Sequence, residues 1–184
     1  MRSNIPLCDK DSKTEVTMSD EHNYLASKQI FYVNFSLRGW NTRCAYNLTR
    51  DDYTLIKGVG AYKLNTRLVW WNNAREICRD EGGHLAMINS LAEESALLNM
   101  MRSEDVDAVW LGVHDLFGEG VWVTLDGESL DTVGYNKWTT HWPDQPDNYG
   151  GYQNCGVLVK YGGMDDTVCT QRTPFICEIE ICNL

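Results

Sequence analysis

The residues best suited to chemistry lie in one segment near the end of the chain. Oxygen-bearing side chains and a proline are set among closely spaced cysteines, in the order Gln145-Pro146-Asp147-Asn148, Cys155, Asp165-Asp166, Cys169 and Cys177. Hard oxygen ligands without clustered His or thiolate groups suit Ca²⁺ better than Zn²⁺. The segment therefore predicts a cation site on a disulfide-bridged loop, and a binding protein rather than an enzyme.

The predicted metal ligands are three carboxylates and two carboxamides: Gln145, Asp147, Gln153, Asp165 and Asp166. Ca²⁺ takes about six to eight oxygens, so a backbone carbonyl and water or exogenous hydroxyls would complete the shell. A vicinal diol on a sugar can supply two hydroxyls, with Asp147 accepting a hydrogen bond and Gln145 donating one. The alternative is that each residue is an ordinary turn former. As a set between Pro146 and Cys169, they favour the metal.

Two helices are predicted upstream of this segment. The first shows apolar residues at helical spacing, and Gly82-Gly83 ends it. Those residues are Leu68, Trp71, Ala74, Ile77 and Cys78. The second opens at Ser90, with Glu93 completing a capping box. Its predicted apolar face is Leu91, Ala92, Ala96, Leu97 and Met100.

Short β-like runs surround these helices. They fall at residues 29–37, 108–113, 120–125, 156–160 and 175–179. The stretch 138–166 is rich in Gly, Asn, Asp and aromatic residues and has little periodicity, as expected of a functional loop. Helices followed by sheet predict an α+β fold. A change of texture near residue 52 predicts a partly flexible N-terminal extension, 1–51, and one domain, 52–182.

Seven cysteines with no C-x-x-C pair indicate structural disulfides and an oxidising compartment. A Cys78–Cys177 bridge would join the first helix to the last strand, and a Cys155–Cys169 bridge would hold both sides of the irregular loop. Spacing alone does not fix this connectivity. Cys44 and Cys182 bracket the domain and are a candidate third pair, which leaves Cys8 free or intermolecular.

Other features favour a secreted chain. Asn34 and Asn47 lie in N-x-[ST] sequons and are predicted glycosylation sites. No apolar run reaches the length of a membrane span, and residues 1–28 lack the apolar core of a signal peptide. We expect either a removed leader or a truncated gene model. The formal net charge of −10 argues against a nucleic-acid partner.

Residues 53–179 resemble the C-type lectin-like domain family. No single residue carries the resemblance, but the set is specific. It comprises Trp71, Ala74-Arg75, Cys78, Gly83-His84-Leu85-Ala86, Trp110-Leu111-Gly112, Trp122, Asp126-Gly127, Trp138, Gln145-Pro146-Asp147, Cys155, Asp165-Asp166, Cys169 and Cys177. The region from Gly134 to Gly151 is similar to secreted insect haemolymph lectins of the lipopolysaccharide-binding kind. The resemblance implies two helices packed on small antiparallel sheets, with a long irregular loop for calcium and sugar.

The resemblance also assigns roles to individual residues. The family's Gln-Pro-Asp motif, associated with galactose-type sugars, corresponds to Gln145, Pro146 and Asp147, with a cis bond expected before the proline. Tyr149 lies where galactose binders place an aromatic ring, although it could equally be a surface loop residue. The implied sugar-binding residues are Gln145, Asp147, Tyr149, Gln153 and Asp165.

Two departures from the family pattern affect the ion. Gln153 replaces an acidic residue, and Met164-Asp165-Asp166 replaces the usual Trp-Asn-Asp. The first change removes a carboxylate and the second restores one, so Ca²⁺ is still the expected cofactor. Asn148 and Asn154 stand where some members place acids for an auxiliary Ca²⁺, so a second ion is not expected.

The remaining chemically suggestive residues are interpreted as structural. His84 is expected to tie the Gly-Gly turn to the next strand, while Trp110, Trp122 and Trp138 are expected in the core. His114 next to Asp115 has no recognisable nucleophile, and the common hydrolase and phosphate-binding motifs are absent.

These observations predict a secreted, calcium-dependent lectin without enzymatic activity. The expected partners are galactose-type glycans or bacterial lipopolysaccharide, in an innate-immunity role that rests on the resemblance. Weak binding of single sugars would call for multivalency, and a homo-oligomer is left open. The alternative, kept because of Gln153, is a protein-binding or toxin-like module with a degenerate calcium site.

Overall fold

The computed structural model describes the backbone of residues 24–25, 28–37, 40–48, 51–56 and 59–179, and side chains within the last two ranges. The chain divides into two units, of which the second is Leu55–Glu180. The side chains of Asn34, Asn47 and Cys44 and all of Cys8 and Cys182 lie outside the described residues. Their predicted glycosylation and pairing therefore stay predictions.

The first unit contains a three-stranded antiparallel sheet. Its strands are β1 (Tyr24–Leu25), β2 (Lys28–Leu37) and β3 (Trp40–Leu48), in the order β1-β2-β3. The register of β2 with β3 runs from Gln29 opposite Leu48 to Leu37 opposite Trp40. The strand predicted at 29–37 is β2, whereas β3 was not predicted.

The second unit contains two helices and one mixed sheet. Its elements are β4 (Thr54–Ile56), β5 (Gly60–Val69), α1 (Trp71–Asp80), β6 (His84–Leu85), α2 (Leu91–Ser103), β7 (Ala108–His114), β8 (Val123–Thr124), β9 (Cys155–Val159), β10 (Met164–Thr167) and β11 (Thr173–Ile179). The strand order is β10-β9-β7-β11-β5-β4, with β6 beside β11 and β8 beside β7. Among the described residues, neither helix is long and apolar enough to cross a membrane.

The predicted fold class, α+β with two helices on β-sheet, is confirmed, with the difference that the strands form one mixed sheet instead of small antiparallel ones. The eight strands form a single sheet, in which β7 and β11 run parallel through Trp110 and Phe175. The final strand enters between β7 and β5, where Phe175 and Ile176 are fully buried.

Helix α1 begins at Trp71, three residues later than the apolar spacing suggested. Trp70 is still extended, at φ −70° and ψ 155°, and the Trp71 amide donates to the Cys169 carbonyl at 3.0 Å. Leu68 lies on β5 and is 58% exposed, so it belongs to a strand and not to the helix face.

Helix α2 starts as predicted, with the Ser90 hydroxyl accepting the Glu93 amide at 3.2 Å. Its predicted buried face is partly right, since Leu97 is buried and Ala96 and Met100 are half-buried, whereas Ala92 is exposed. The buried side chains are Glu93, Glu94, Leu97, Leu98 and Met101, whereas Leu91 is 64% exposed. Two carboxylates occupy the inner face because each finds donors there: the Tyr62 hydroxyl for Glu93 and the Gly163 amide for Glu94.

Two disulfides connect this framework. Cys78–Cys177 joins α1 to β11, and Cys155–Cys169 joins the start of β9 to the turn after β10, each with a Cα–Cα distance of 5.2 Å. Both are pairs proposed from the sequence. The longer loop, 99 residues, contributes nearly 5 kcal/mol in the chain-entropy description, and the 14-residue loop about 3 kcal/mol.

Of the three tryptophans expected in the core, Trp110 and Trp122 are buried, at 0% and 8% exposure. Trp138 is partly buried and packs edge-on against Trp122, with ring centroids 4.9 Å apart. His84 Nδ1 lies 2.9 Å from the Leu85 carbonyl oxygen and donates to it in the Nδ1–H tautomer, next to the turn where the residue was expected.

Candidate functional site

The oxygen-rich segment forms a loop that leaves and rejoins the sheet at the same edge. Thr139 begins it, with its amide donating to the Met164 carbonyl on β10 at 2.7 Å. At its centre the Gln145–Pro146 peptide is cis, as the resemblance implied, and Asn148 adopts a left-handed φ of 42°. Asn tolerates that conformation better than most residues, so the loop can turn back toward β9 here.

Asp166 on β10 anchors the loop. Its Oδ1 accepts the Asp147 amide at 3.0 Å, and its Oδ2 accepts the Asn148 amide at 2.8 Å. The residue is 1% exposed, and burial raises the pKa of its carboxyl against the lowering effect of these two amides. Asp166 therefore fixes the backbone of the motif, a role that the sequence did not suggest.

The motif's own side chains complete the turn. Asp147 Oδ1 accepts the Tyr149 amide at 3.0 Å, and Asn148 Oδ1 accepts the Gln153 amide at 3.0 Å. Gln153 Nε2 donates to the Asp166 carbonyl at 3.0 Å. Because the Gln153 side-chain nitrogen is used in this bond, the side-chain oxygen remains as an acceptor for another group.

Three buried oxygens of the predicted ligand set have no hydrogen-bond donor within the described part of the chain. They are Gln145 Oε1, Gln153 Oε1 and Asp165 Oδ1. An unsatisfied buried acceptor costs about 1–3 kcal/mol, so three in one site require a common explanation. All three are oxygen acceptors, which is the chemistry that a hard cation satisfies.

The repulsion between the carboxylates of the site also favours a cation. The pKa of the Asp165 carboxyl is raised to about 6, first by burial and then by the negative charges of Asp166 and Asp147. The last two effects require the three carboxylates to lie close enough to repel one another. A divalent cation would relieve that repulsion.

The carboxylates among the predicted ligands do not all point toward a common centre. No group of three His, Cys, Asp or Glu side chains in the described ranges is arranged as a metal cluster. The reason is local, since both Asp166 side-chain oxygens face the loop backbone. Any cation held here would therefore depend on carboxamide oxygens for a large part of its shell, and Ca²⁺ is a cation that accepts such ligands.

The aromatic residues of the loop are exposed. Tyr149 is 78% exposed within a short 3₁₀ turn, Tyr149–Gly151. Tyr152, which the sequence did not single out, is 60% exposed and folds back over Gly150, whose φ is +79°. A Cβ on Gly150 would lie 2.6 Å from the Tyr152 ring, so only glycine admits this contact. In the sequence, the Gly150-Gly151 pair between Tyr149 and Tyr152 is the feature that could have indicated this contact.

Asn154, one of the two residues at the family's auxiliary-ion positions, is part of a hydrogen-bonded group with Asp115. Asn154 Nδ2 donates to Asp115 Oδ1 at 2.9 Å, while Asp115 Oδ2 accepts the Gly120 amide at 2.8 Å. Nearby His114 packs edge-on against Trp71 and Phe117, and burial lowers the pKa of its imidazole. This histidine is thus a packing residue.

Comparisons with known proteins agree with the fold and the loop. The profile of the lectin C-type domain matches residues 68–179. The hemolymph lipopolysaccharide-binding protein of Periplaneta americana is 38% identical over 136 residues, covering 70% of this chain and 52% of that protein. C-type lectin domain family 10 member A of Rattus norvegicus is 33% identical over 117 residues, covering 60% of this chain and 35% of that protein. The chain thus spans about half or less of these curated relatives.

Solved structures show the same architecture. The mouse scavenger receptor C-type lectin carbohydrate-recognition domain matches with a TM-score of 0.61 and 27% identity, over 71% of this chain and 94% of that one. The lectin CEL-I of Cucumaria echinata matches with a TM-score of 0.63 at 23% identity, over 73% and 99%. The family profile, the cockroach relative and the shared fold lead to one conclusion: this chain belongs to the C-type lectin domain family.

Proposed function

We propose that this chain is a calcium-dependent carbohydrate-binding module of the galactose type. The observation that carries the proposal is the set of three buried, unpartnered acceptor oxygens on Gln145, Gln153 and Asp165. They belong to residues that the family motif assigns to the ion and the sugar. Oxygen acceptors of this kind are suitable ligands for a hard cation. Without a partner, each buried acceptor would lower the stability of the folded protein.

The residues that would hold Ca²⁺ are Gln145, Asp147, Gln153, Asp165 and Asp166. When bound, the ion supplies a charge that two neighbouring sugar hydroxyls can coordinate. The protein's own contribution is orientation. Asp166 holds the loop backbone, and Gln153 is fixed by its bond to the Asp166 carbonyl. Gln145, Asp147 and Asp165 would then exchange hydrogen bonds with the sugar hydroxyls.

The galactose preference follows from the Gln-Pro-Asp order. Reversing an acid and an amide reverses which side of a diol meets a donor and which meets an acceptor. The exposed Tyr149 ring is available to pack against the apolar face of such a sugar. Tyr152 is a second aromatic on the same loop.

A glycan of a microbial surface is the proposed partner, outside the cell and in innate immunity. Support comes from the name of the Periplaneta americana relative, which describes lipopolysaccharide binding in hemolymph. Two disulfides fit an oxidising compartment. Because one sugar makes a small contact, useful avidity would need repeated epitopes and several copies of the module. We propose binding alone, without a chemical step.

A second candidate is a protein-binding module with a degenerate calcium site. The observation that favours it is the Gln153 Nε2 bond to the Asp166 carbonyl, which holds the loop without an ion. Gln153 also removes a charge that the family usually provides. In that case the loop would bind a partner through its surface, unaffected by chelator.

Retention on galactose–agarose separates the two candidates. Under the first, the oxidised protein is retained in millimolar Ca²⁺, eluted by EDTA and eluted by free galactose. Asp165→Ala should abolish retention, whereas the exposed-site control Glu128→Gln should not change it. Calorimetry that detects no calcium binding, or retention that EDTA does not affect, would reject the proposal.

A further inference from the structure

Large apolar side chains protrude where strand β5 meets helix α1. Leu68 near the end of β5 is 58% exposed, and Trp70, directly before α1, is 49% exposed. Single exposed apolar residues are ordinary, whereas several together mark an interaction surface. Neither residue is a candidate calcium or sugar ligand, so the proposed function does not account for their exposure.

Trp70 stands at a position where another residue type would favour folding. It is the N-cap residue of α1, and its side chain makes no capping hydrogen bond. Ser, Thr, Asp or Asn at an N-cap would accept a backbone amide of the first turn and stabilise the helix. An exposed indole at this position therefore indicates a role outside the fold.

The backbone that carries this indole is firmly held. Val69 is opposite Thr173 on β11, and its carbonyl accepts the Trp110 indole N–H at 2.9 Å. The Trp70 carbonyl accepts the Ala74 amide at 3.0 Å. The protruding side chain is thus presented by a rigid framework and not by a mobile loop.

A second group of exposed apolar residues lies on the connection between β7 and β8. Leu116, Phe117 and Val121 are 52%, 89% and 62% exposed. The His114 ring connects this group to α1, with centroids 5.3 Å from Trp71 and 5.2 Å from Phe117. The two groups therefore lie on neighbouring elements. Together they form what we call the apolar surface, made of Leu68, Trp70, Leu116, Phe117 and Val121.

Two arginines flank Trp70. Arg67 is on β5, and Arg172 directly precedes Thr173, the residue opposite Val69. Both are exposed, and neither is in an ion pair within the described part of the chain. The basic residues that do pair with acids there are Lys63, Arg75, Arg79, Lys137 and Lys160. On a chain of net charge −10, free arginines beside an exposed indole form a local positive patch.

This combination of groups matches a phospholipid surface. Guanidinium groups bind phosphate through paired hydrogen bonds, and indole rings favour the boundary between headgroups and acyl chains. Side chains that protrude enter a deformable lipid phase, whereas a rigid protein partner would need a recess of matching shape. The Debye length is about 8 Å at physiological ionic strength, so the nearby arginines outweigh the distant acidic groups.

We infer that the apolar surface docks on a phospholipid bilayer. Leu68, Trp70 and Phe117 enter the headgroup–acyl boundary, while Arg67 and Arg172 contact lipid phosphates. The contact is peripheral and needs neither calcium nor a glycan, so it goes beyond the proposed function. A glycan-bearing membrane would then be bound at two places, which raises the overall avidity.

Flotation with vesicles tests the inference. The oxidised full chain is mixed in EDTA with glycan-free vesicles of equimolar phosphatidylcholine and phosphatidylglycerol, and we expect it to float with them. Trp70→Ser should lower the partition coefficient about tenfold. Because serine supplies the missing cap, this variant should keep a melting temperature near that of the wild type. Trp142→Ala, which removes a 42% exposed indole on the long loop, is the matched control and should bind as the wild type does.

The charged residues provide an independent measurement. Arg67→Gln and Arg172→Gln should each lower the partition coefficient about fivefold on these vesicles. Arg102→Gln, at an exposed position on α2, should not change it. Glu119 is exposed on the same connection as Phe117, so Glu119→Gln should strengthen binding by removing repulsion.

The inference fails if the wild type does not float, or if Trp70→Ser and the two arginine variants float as the wild type does. A dimer in sedimentation that Phe117→Ala dissociates, without lipid binding, would identify a second copy as the occupant and overturn the inference. Galactose retention in Ca²⁺ is measured separately and should survive in Trp70→Ser. Failure of either experiment therefore leaves the other result standing.

Discussion

The Gln153 side chain donates its amide to the backbone carbonyl of Asp166 at 3.0 Å. This bond crosses from the end of the loop to β10 and holds the two groups of candidate ligands together. It also explains how the site keeps its geometry with an amide where the family usually has an acid. A substitution at Gln153 can therefore change calcium affinity and the order of the loop in opposite directions, so that the two can be measured separately.

Gln153→Glu should strengthen calcium binding and weaken the calcium-free protein. An added carboxylate near the ion should raise calcium affinity about tenfold, while loss of the amide donor and repulsion by Asp165 and Asp166 should cost about 1–2 kcal/mol in EDTA. Calorimetry and thermal unfolding with and without Ca²⁺ measure the two effects. Asn73→Asp, which adds a charge at an exposed site on α1, should change neither. Unchanged calcium affinity in Gln153→Glu would place the ion elsewhere.

Asp165→Asn should stabilise the protein in EDTA at high pH. Burial and neighbouring charges raise the pKa of Asp165 from 3.8 to about 6 in the folded state. The folded protein therefore holds this proton more tightly than the unfolded chain, which favours folding below pH 3.8. That advantage is lost as the pH rises through about 6. At pH 8 the substitution should add about 1–2 kcal/mol to the free energy of unfolding.

The pH dependence supplies the control for this prediction. The stability difference between Asp165→Asn and the wild type should disappear at pH 4, where both side chains are neutral in the folded protein. Glu128→Gln, at an exposed site, should show no such trend. Equal stability of wild type and Asp165→Asn at every pH in EDTA would show that Asp165 is solvated.

Asp166→Asn should disorder the motif, because one side-chain oxygen must replace two. The Asp147 or Asn148 amide would lose its acceptor and face an NH₂ group instead. We expect a loss of about 1–3 kcal/mol in stability and loss of galactose retention. Amide chemical shifts of Asp147 and Asn148 would report the change directly. Native shifts for both amides in this variant would contradict the anchoring role of Asp166, and Asp126→Asn is the matched control.

Glu94→Gln should uncouple helix α2 from the hairpin that carries Asp165 and Asp166. Glu94 Oε1 accepts the Gly163 amide at 2.7 Å and Lys137 Nζ at 2.8 Å. Burial opposes ionisation, but these donors outweigh it and lower the pKa of Glu94 below 4.5. Its stabilising effect is therefore full above that pH and is lost as the pH falls through the folded value.

We expect Glu94→Gln to lower the free energy of unfolding by about 1–2 kcal/mol at pH 7. The difference should shrink below pH 4, which urea denaturation at several pH values can measure. Ser95→Ala, at an exposed position on the same helix, should cost much less. A loss that is independent of pH would show that packing, and not charge, links the helix to the hairpin.

The features that could be predicted from the sequence are those marked by residues close together in the chain, such as helix caps and stops. The Ser90 cap and the Gly82-Gly83 stop located the helices, and the cysteines suggested the Cys78–Cys177 and Cys155–Cys169 pairs that the structure contains. The family resemblance supplied the cis bond at Pro146, which the structure contains, while the ligand set stays a prediction.

Features that depend on tertiary partners were not predictable. Apolar and polar residues alternate only weakly along β5, because only the first half of this strand is buried. Strand β10 resembled part of a loop because it carries two aspartates. The inner face of α2 was misplaced because Glu93 and Glu94 are buried by donors distant in sequence. The ring contacts of Tyr161 with His141 and Trp142 bring the β9–β10 turn against the loop, which no spacing in the sequence reveals.

Gly163 has a wider consequence. Its φ is +80°, and a Cβ there would lie 2.6 Å from the Thr139 backbone nitrogen, so the hairpin tip and the start of the loop are locked in contact. The start of the segment 140–154 is thereby fixed to the β10 end of the hairpin, and the segment continues into β9 at Cys155. The segment between these two anchor points is an insert, so changes of length within residues 140–144 should leave the scaffold intact.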